Sequence, residues 1–160
     1  MSQLNFSELM GVYTESNQLT GHELYTDLSQ EAQVYEAEQN FYHYLNECFF
    51  HQKDSYYAVW EERGHYLSAL RIEPYLDGLL LCGLETHPSV RRQGYAAELI
   101  HAVLSHLADN SVLRVYSHIS KKNQPSLITH LNCGFQIIKD YAVYSDGSVL
   151  HSSYTLSIER

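Results

Sequence analysis

Leu79-Leu80-Leu81-Cys82-Gly83-Leu84-Glu85-Thr86-His87-Pro88-Ser89-Val90-Arg91-Arg92-Gln93-Gly94-Tyr95-Ala96 is the stretch that decides the fold. From Leu79 to His87 it is nearly continuously apolar, the composition of a strand buried on both faces. Pro88 lacks an N–H and stops such a strand. Beyond a short basic loop, Leu99, Val103 and Leu107 recur every four residues with Ile100 and Leu104 beside them, so Gly94 to Ala108 reads as a helix. The first N–H groups of a helix have no intrahelical partner and point outward, which suits an anion. Gly94 lets an anion approach the backbone, and Arg91 and Arg92 add charge. A phosphate or pyrophosphate fits that loop. The alternative on these residues alone is an ordinary strand–turn–helix with solvated arginines. Neither G-x-x-x-x-G-K-[ST] nor G-x-G-x-x-G occurs, which disfavours P-loop and dinucleotide phosphate sites.

Working outward, Val112 to Ile119 reads as a further strand, and Asn123 is an N-cap for a helix that ends at Gly134. Phe135 to Tyr144 and Val149 to Ile158 form a pair around the turn Asp146-Gly147. On the other side, Ser55 to Glu61 and His65 to Ile72 flank an Arg63-Gly64 turn, and Pro74 with Asp77-Gly78 ends the second run. Residues 1–52 read as helix: a short one from Ser7 through Tyr13 and a long one from Ser29 to Phe50, with Gly21 and its polar neighbours as the break. Strand–helix–strand alternation in the middle implies a mixed, partly parallel sheet. The expectation is an α/β (α+β) fold: a central sheet of about six to seven strands, flanking helices and an N-terminal helical segment. One domain over 1–160 accommodates it, with 1–52 helical and 53–160 forming the sheet.

Composition narrows the function. The chain has 160 residues, 44% of them hydrophobic, with 14 Tyr, enough to rule out a disordered chain. No apolar run approaches the ~20 residues of a membrane span, and no Lys or Arg precedes Lys53, as a secretory signal would need. Cys48, Cys82 and Cys133 are an odd number at wide spacing, which supports neither a disulfide framework nor a thiolate zinc site. A net charge of -9 argues against sequence-independent nucleic-acid binding. A cytoplasmic domain is expected, with no metal, membrane or nucleic-acid partner. The charge is uneven: Glu8, Glu15, Glu23, Asp27, Glu31, Glu36, Glu38 and Glu47 fall within 1–52, where no base occurs, while Arg91-Arg92 and Lys121-Lys122 lie beyond. That asymmetry suits a cationic substrate and an anionic cofactor; the plainer reading is a solvated acidic helix face.

Arg91-x-x-Gly94-x-Ala96 after a strand stopped by Pro88 resembles the acetyl-CoA motif of the GNAT-type N-acetyltransferases, [QR]-x-x-G-x-[GA]. Asn123-x-x-Ser126-x-x-x-His130-x-x-x-Gly134-Phe135 is similar to that superfamily's second landmark, N-x-x-A-x-x-x-Y-x-x-x-G-F. Both motifs stand in order inside the right strand–helix frame, and the resemblance covers roughly residues 55 to 158. Especially in Leu84-Glu85-Thr86 and Gly94-Tyr95-Ala96, the chain resembles small bacterial members of the superfamily.

The resemblance implies an acetyl-CoA-dependent acyltransferase acting on a primary amine of a small molecule or peptide, with no metal and with a homodimer as one option. It places the CoA pyrophosphate on amides of Arg91, Arg92, Gln93, Gly94, Tyr95 and Ala96. The acetyl carbonyl and pantetheine fall on the strand backbone around Leu84 to Thr86, and the cofactor arm meets Asn123. Lys121 and Lys122 are further phosphate candidates. Thr86 replaces a usual Val, a harmless change where the backbone is used. His130 replaces the usual Tyr, so it becomes the candidate acid for the departing thiolate, by imidazolium or a neutral N–H. Glu85 and Glu73 are candidate bases, with a water chain as the alternative. Strand alternation sets Glu85 on the face opposite Leu84 and Thr86 unless a bulge intervenes. Tyr13, Tyr25, Tyr42 and Tyr44 are candidates for lining an acceptor pocket, against a default of core or surface. The competing class is a non-catalytic acyl-CoA-binding or regulatory module of the same fold, and a third is a nucleotide-binding regulatory domain.

Overall fold

The computed structural model describes residues 4–112 and 114–159. Three helices lead: α1 (Phe6–Val12), α2 (Thr14–Leu24) and α3 (Gln30–Glu47). Three antiparallel strands follow: β1 (Tyr56–Glu62), β2 (His65–Tyr75) and β3 (Gly78–Thr86). Helix α4 (Tyr95–Asp109) then crosses to β4 (Arg114–Ser120), and α5 (Gln124–Asn132) leads to β5 (Gln136–Lys139). A small ribbon of β6 (Ala142–Val143) and β7 (Val149–Leu150) precedes β8 (Ser153–Glu159). The main sheet has six strands in the order β1-β2-β3-β4-β8-β5 and is parallel only between β3 and β4, the pair joined by α4. This is the mixed sheet with flanking helices and N-terminal helical segment that the pattern implies.

Each face of the sheet is covered for a reason visible in the strands. Leu70, Ile72, Leu81, Val115 and Leu156 lie on one face and bury against Leu99, Ile100, Val103 and Leu104 of α4, the four-residue stripe read from sequence. Burial of each such side chain stabilises by roughly 1.5–3 kcal/mol. The other face of β1 and β2 receives the N-terminal helices, with Leu9, Val12, Tyr13, Leu45 and Phe49 packed on Tyr66 and Ala69.

Three local readings are corrected. Gly21 is not a helix break but lies inside α2, where a Cβ would come 2.4 Å from the Gln33 carbonyl oxygen of α3. The glycine serves a close helix crossing, and the break falls after Leu24. Pro74 does not end β2, which runs on to Tyr75 and turns at Leu76, whose φ is 48. The last two strand runs are each split: their inner ends form the β6–β7 ribbon, while β8 enters the main sheet between β4 and β5.

Candidate active site

The parallel pairing of β3 with β4 covers only Leu79↔Val115, Leu80↔Tyr116 and Leu81↔Ser117. Past Leu81, β3 continues on β2 alone and β4 on β8 alone, so the two strands part and open a wedge. Gly83 causes part of this. Its φ is 61, and the β2–β3 register shifts between Ala69 and Arg71, marking a bulge. Across the bulge, Leu84 packs into the α4-side core, and Thr86 faces Ser68 with 3.4 Å between hydroxyls. Glu85 points to the opposite face, toward the N-terminal helices, where its carboxylate accepts from Ser16 Oγ. Burial is the main influence on Glu85 and raises its carboxyl above the ordinary value; the Ser16 hydrogen bond and Arg91 act the other way.

Beyond β3, Pro88–Val90 makes one 3-10 turn, Arg92 adopts φ 61 and Gly94 φ 95. Gly94 is the N-cap of α4 and no side chain caps the helix, so its first amides are left to a ligand or water. A Cβ on Gly94 would meet nothing within 4 Å. The loop therefore combines a free helix N-terminus with open space at the glycine, the form an incoming pyrophosphate needs. Arg91 is occupied elsewhere: its Nη1 is 2.6 Å from Glu15 Oε2, and its Nε donates to the Thr86 carbonyl at 3.4 Å. Arg92, Gln93 and Asn123 are exposed; Asn123 Oδ1 accepts from Ser126 N at 3.2 Å and caps α5.

His130 lies at the apex of the wedge, 1% exposed. Its Nδ1 is 2.8 Å from Ser126 O, and its Nε2 is 3.2 Å from Ser117 Oγ. A carbonyl oxygen only accepts, so Nδ1 carries a hydrogen. Ser117 Oγ is also within 3.1 Å of Leu81 O, at the last paired position of β3 and β4. Burial lowers the His130 pKa, so the neutral ring dominates at neutral pH.

On the face of the N-terminal helices, the wedge is lined by tyrosines already considered and by Arg71 and His118, which the sequence reading did not single out. Tyr13 donates to the Gly83 carbonyl and accepts from Tyr57 at 3.1 Å. Arg71 lies under Tyr44 with its guanidinium carbon 5.2 Å from the ring centroid. His118 packs edge-on between Tyr75 and Tyr144 at 5.2 and 5.3 Å. Of the four tyrosines considered for an acceptor pocket, Tyr13 and Tyr44 belong here, whereas Tyr42 is exposed and Tyr25 is bonded to Asn40. Glu73 accepts from Cys82 Sγ at 3.3 Å and borders a cavity of about 360 Å³ with Tyr75, Leu80 and Tyr144. Burial pushes the Cys82 thiol up to about 12, so it stays neutral. Arg71 carried a signal in sequence: a lone cation alternating with Ala69 and Glu73 inside a buried strand.

Of the N-terminal acids, Glu8, Glu31 and Glu38 lie away from this wedge, while Glu15 is near enough to raise the Glu85 carboxyl. Glu8 accepts from Tyr66 N and meets His65, Glu15 holds Arg91, and Glu31 with Glu38 borders a hollow on the outer surface of α2 and α3. Among the described residues no group of three or more His, Cys, Asp or Glu could hold a metal ion, and no helix is long and apolar enough to cross a membrane.

A mixed sheet thus opens between its two parallel strands, beside a helix N-terminus that no side chain caps. The Acetyltransferase (GNAT) family model matches residues 21–135, and the chain belongs to that family. Solved structures share the fold. PaiA N-acetyltransferase from Thermoplasma acidophilum, in complex with coenzyme A, is 11% identical over 97% of this chain and 92% of its own, with a TM-score of 0.64. The ribosomal-protein-S18-alanine N-acetyltransferase from Escherichia coli is 16% identical over 99% and 91%, with a TM-score of 0.62. Aminoglycoside 6'-acetyltransferase type Ii is 13% identical over 96% and 88%, also at 0.62. No curated protein matches the sequence significantly.

Proposed function

We propose that the whole chain acts as one unit that transfers an acetyl group from acetyl-CoA to a primary amine by direct attack. The observation that carries this reading is the wedge between β3 and β4 beside the open, positive-φ Gly94 at the start of α4. Acetyl-CoA supplies the chemistry as an already activated thioester, so no nucleophilic side chain is required.

The chain's own residues then have four tasks. Amides from Arg92 to Ala96 hold the pyrophosphate, with Gly94 as the point of closest approach. Backbone of Leu84 to Thr86, left without a β4 partner, orients the acetyl carbonyl and offers an N–H to the developing oxyanion. Glu85, on the N-terminal-helix face of the same strand, takes a proton from the incoming amine. His130, at the wedge apex, supplies the proton for the departing thiolate. It does so from its protonated form, through the Nε2 that otherwise meets Ser117. Asn123 contacts the cofactor arm, and Lys121 and Lys122 are further contacts for its phosphates. The wedge lining bears on the acceptor class more directly than the acidic N-terminal segment, of which Glu15 is held by Arg91 and Glu31 and Glu38 border an outer hollow.

Titration with acetyl-CoA, free CoA and ATP tests the site. Saturable binding of both CoA species and none of ATP supports the reading; tighter ATP binding turns it toward a nucleotide-binding domain. Acetyl-CoA binding without thiol release from any amine would favour the non-catalytic module.

Glu85 gives a pH signature. A base must be ionised to act, and burial raises this carboxyl, so turnover should climb with pH along a limb centred above the ordinary value of 4.5. Glu85→Gln should lower turnover by about 10²-fold and erase that limb. A Gln variant with the wild-type pH profile would move the base elsewhere.

A further inference from the structure

Among the described residues, three buried side-chain nitrogen or oxygen atoms lack a hydrogen-bond partner: Arg71 Nε, His118 Nδ1 and His118 Nε2. All three come from basic side chains, and both residues lie on the face of the sheet that carries Glu85. Arg71 opposes Cys82 across β2 and β3, and continuing the β3–β4 register past Leu81↔Ser117 sets Cys82 level with His118. The two bases thus flank the wedge in one row.

Among the described residues Arg71 makes no ion pair; Glu73, two residues along the same strand face, accepts from Cys82 Sγ at 3.3 Å instead. The ion pairs among the described residues engage His65, Arg91 and Arg114, not Arg71. Its neighbours Tyr13, Tyr44, Tyr57 and Cys82 are neutral at neutral pH, and burial raises each of them further above its ordinary value. Arg71 is half-buried with its Nε fully so; a guanidinium partly withdrawn from water without a paired counter-charge is costly, and a carboxylate is the group its planar donor fork fits. Its guanidinium carbon lies over the Tyr44 and Phe49 rings, 5.2 and 6.0 Å from their centroids, contacts that give its N–H donors no hydrogen-bond acceptor. Those donors reach the wedge. A Cβ placed on Gly83 would sit 3.2 Å from Nε and 3.3 Å from Nη2, with Tyr13 Oη 3.6 Å away. Gly83 has no side chain to block the approach and is itself exposed. Glu85, two residues further along β3, faces the same side.

We propose that Arg71 binds a carboxylate on the acceptor, so that the acceptor is an amino-acid-type molecule whose amine and carboxylate lie close together. The amine lies toward Glu85 and the carboxylate toward Arg71, with Tyr13 between them. This deepens the acetyltransferase reading and rests on it.

The test is thiol release from saturating acetyl-CoA with matched acceptors: L-phenylalanine against phenylethylamine, L-methionine against methioninamide, L-arginine against agmatine, and spermidine as a polycation. A carboxylate-bearing member should exceed its carboxylate-free match in kcat/KM by about ten-fold or more, through KM, the scale of a hydrogen-bonded charge. Arg71→Gln should collapse that ratio toward one, and Arg71→Lys should keep part of it. Equal or faster use of the carboxylate-free members, or no turnover of any carboxylate-bearing one, overturns the proposal. So does an Arg71→Gln protein that loses stability but keeps the ratio, since Arg71 is then only a stacked structural cation. Where Arg71→Gln does not fold, the wild-type panel still decides. Failure of the acetyltransferase reading looks different: acetyl-CoA does not bind, and no amine of any kind releases thiol.

Discussion

Gly94→Val should lower acetyl-CoA affinity by about 100-fold or more while the protein remains folded. The loss has two sources. A Cβ at this position projects into space that contains no protein atom within 4 Å, the space through which a pyrophosphate would reach the α4 amides. The branched side chain must also hold φ near 95, a region β-branched residues avoid. Relief of that strain would turn the loop and carry the amides out of alignment. The cost to the fold is smaller, about 1–3 kcal/mol, because Gly94 touches nothing in the core. Arg91→Ala and Arg92→Ala should weaken binding much less, since the amides persist and Arg91 already serves Glu15 and the Thr86 carbonyl. Calorimetric titration of the folded variants checks the ranking. Unchanged affinity in Gly94→Val would remove the phosphate site from this loop.

His130→Ala should damage both stability and turnover. The ring is 1% exposed and packs edge-on against Phe135 at 5.3 Å, so deletion leaves a cavity and strips the partners of Ser117 and Ser126. A loss of roughly 2–4 kcal/mol is expected for such a change. Turnover should fall about 10²-fold beyond any loss of folded protein, as for a missing acid. His130→Gln separates the two effects, because an amide can donate to Ser126 O and accept from Ser117 yet cannot deliver a proton at neutral pH. Stability should recover and turnover should not. A Gln variant that restores turnover leaves His130 as a buried residue that sets the wedge apex, with water protonating the thiolate.

The parts of this fold that sequence made legible are those written in local patterns. The apolar run of β3, the stop at Pro88 and the four-residue stripe of α4 are consecutive, and they place the strand–loop–helix that carries the candidate site. Asn123 as the α5 cap and Gly134 with φ 97 after its end follow from residue chemistry alone. What stayed hidden depends on partners far along the chain. Gly21 looks like a breaker until the Gln33 carbonyl is found against it. A period of two places Arg71 on a face but does not say that Tyr44 and Phe49 cover it, or that no acid among the described residues pairs with it. The wedge could not be read either, because strand composition does not reveal that pairing stops after Leu81↔Ser117. Glu85 was ambiguous for the same reason: its facing depends on the Gly83 bulge, which only the β2 register exposes.

The central claim is acetyl transfer to an amine in the wedge between β3 and β4. Its most direct test is to incubate the full chain with acetyl-CoA and the amine panel, then measure free thiol and the mass of the acceptor together. The account predicts thiol release that depends on the amine, matched mole for mole by an N-acetylated acceptor, and lost in Gly94→Val. Thiol release without an acetylated acceptor, or no release from an acetyl-CoA-saturated protein with any amine, would contradict it.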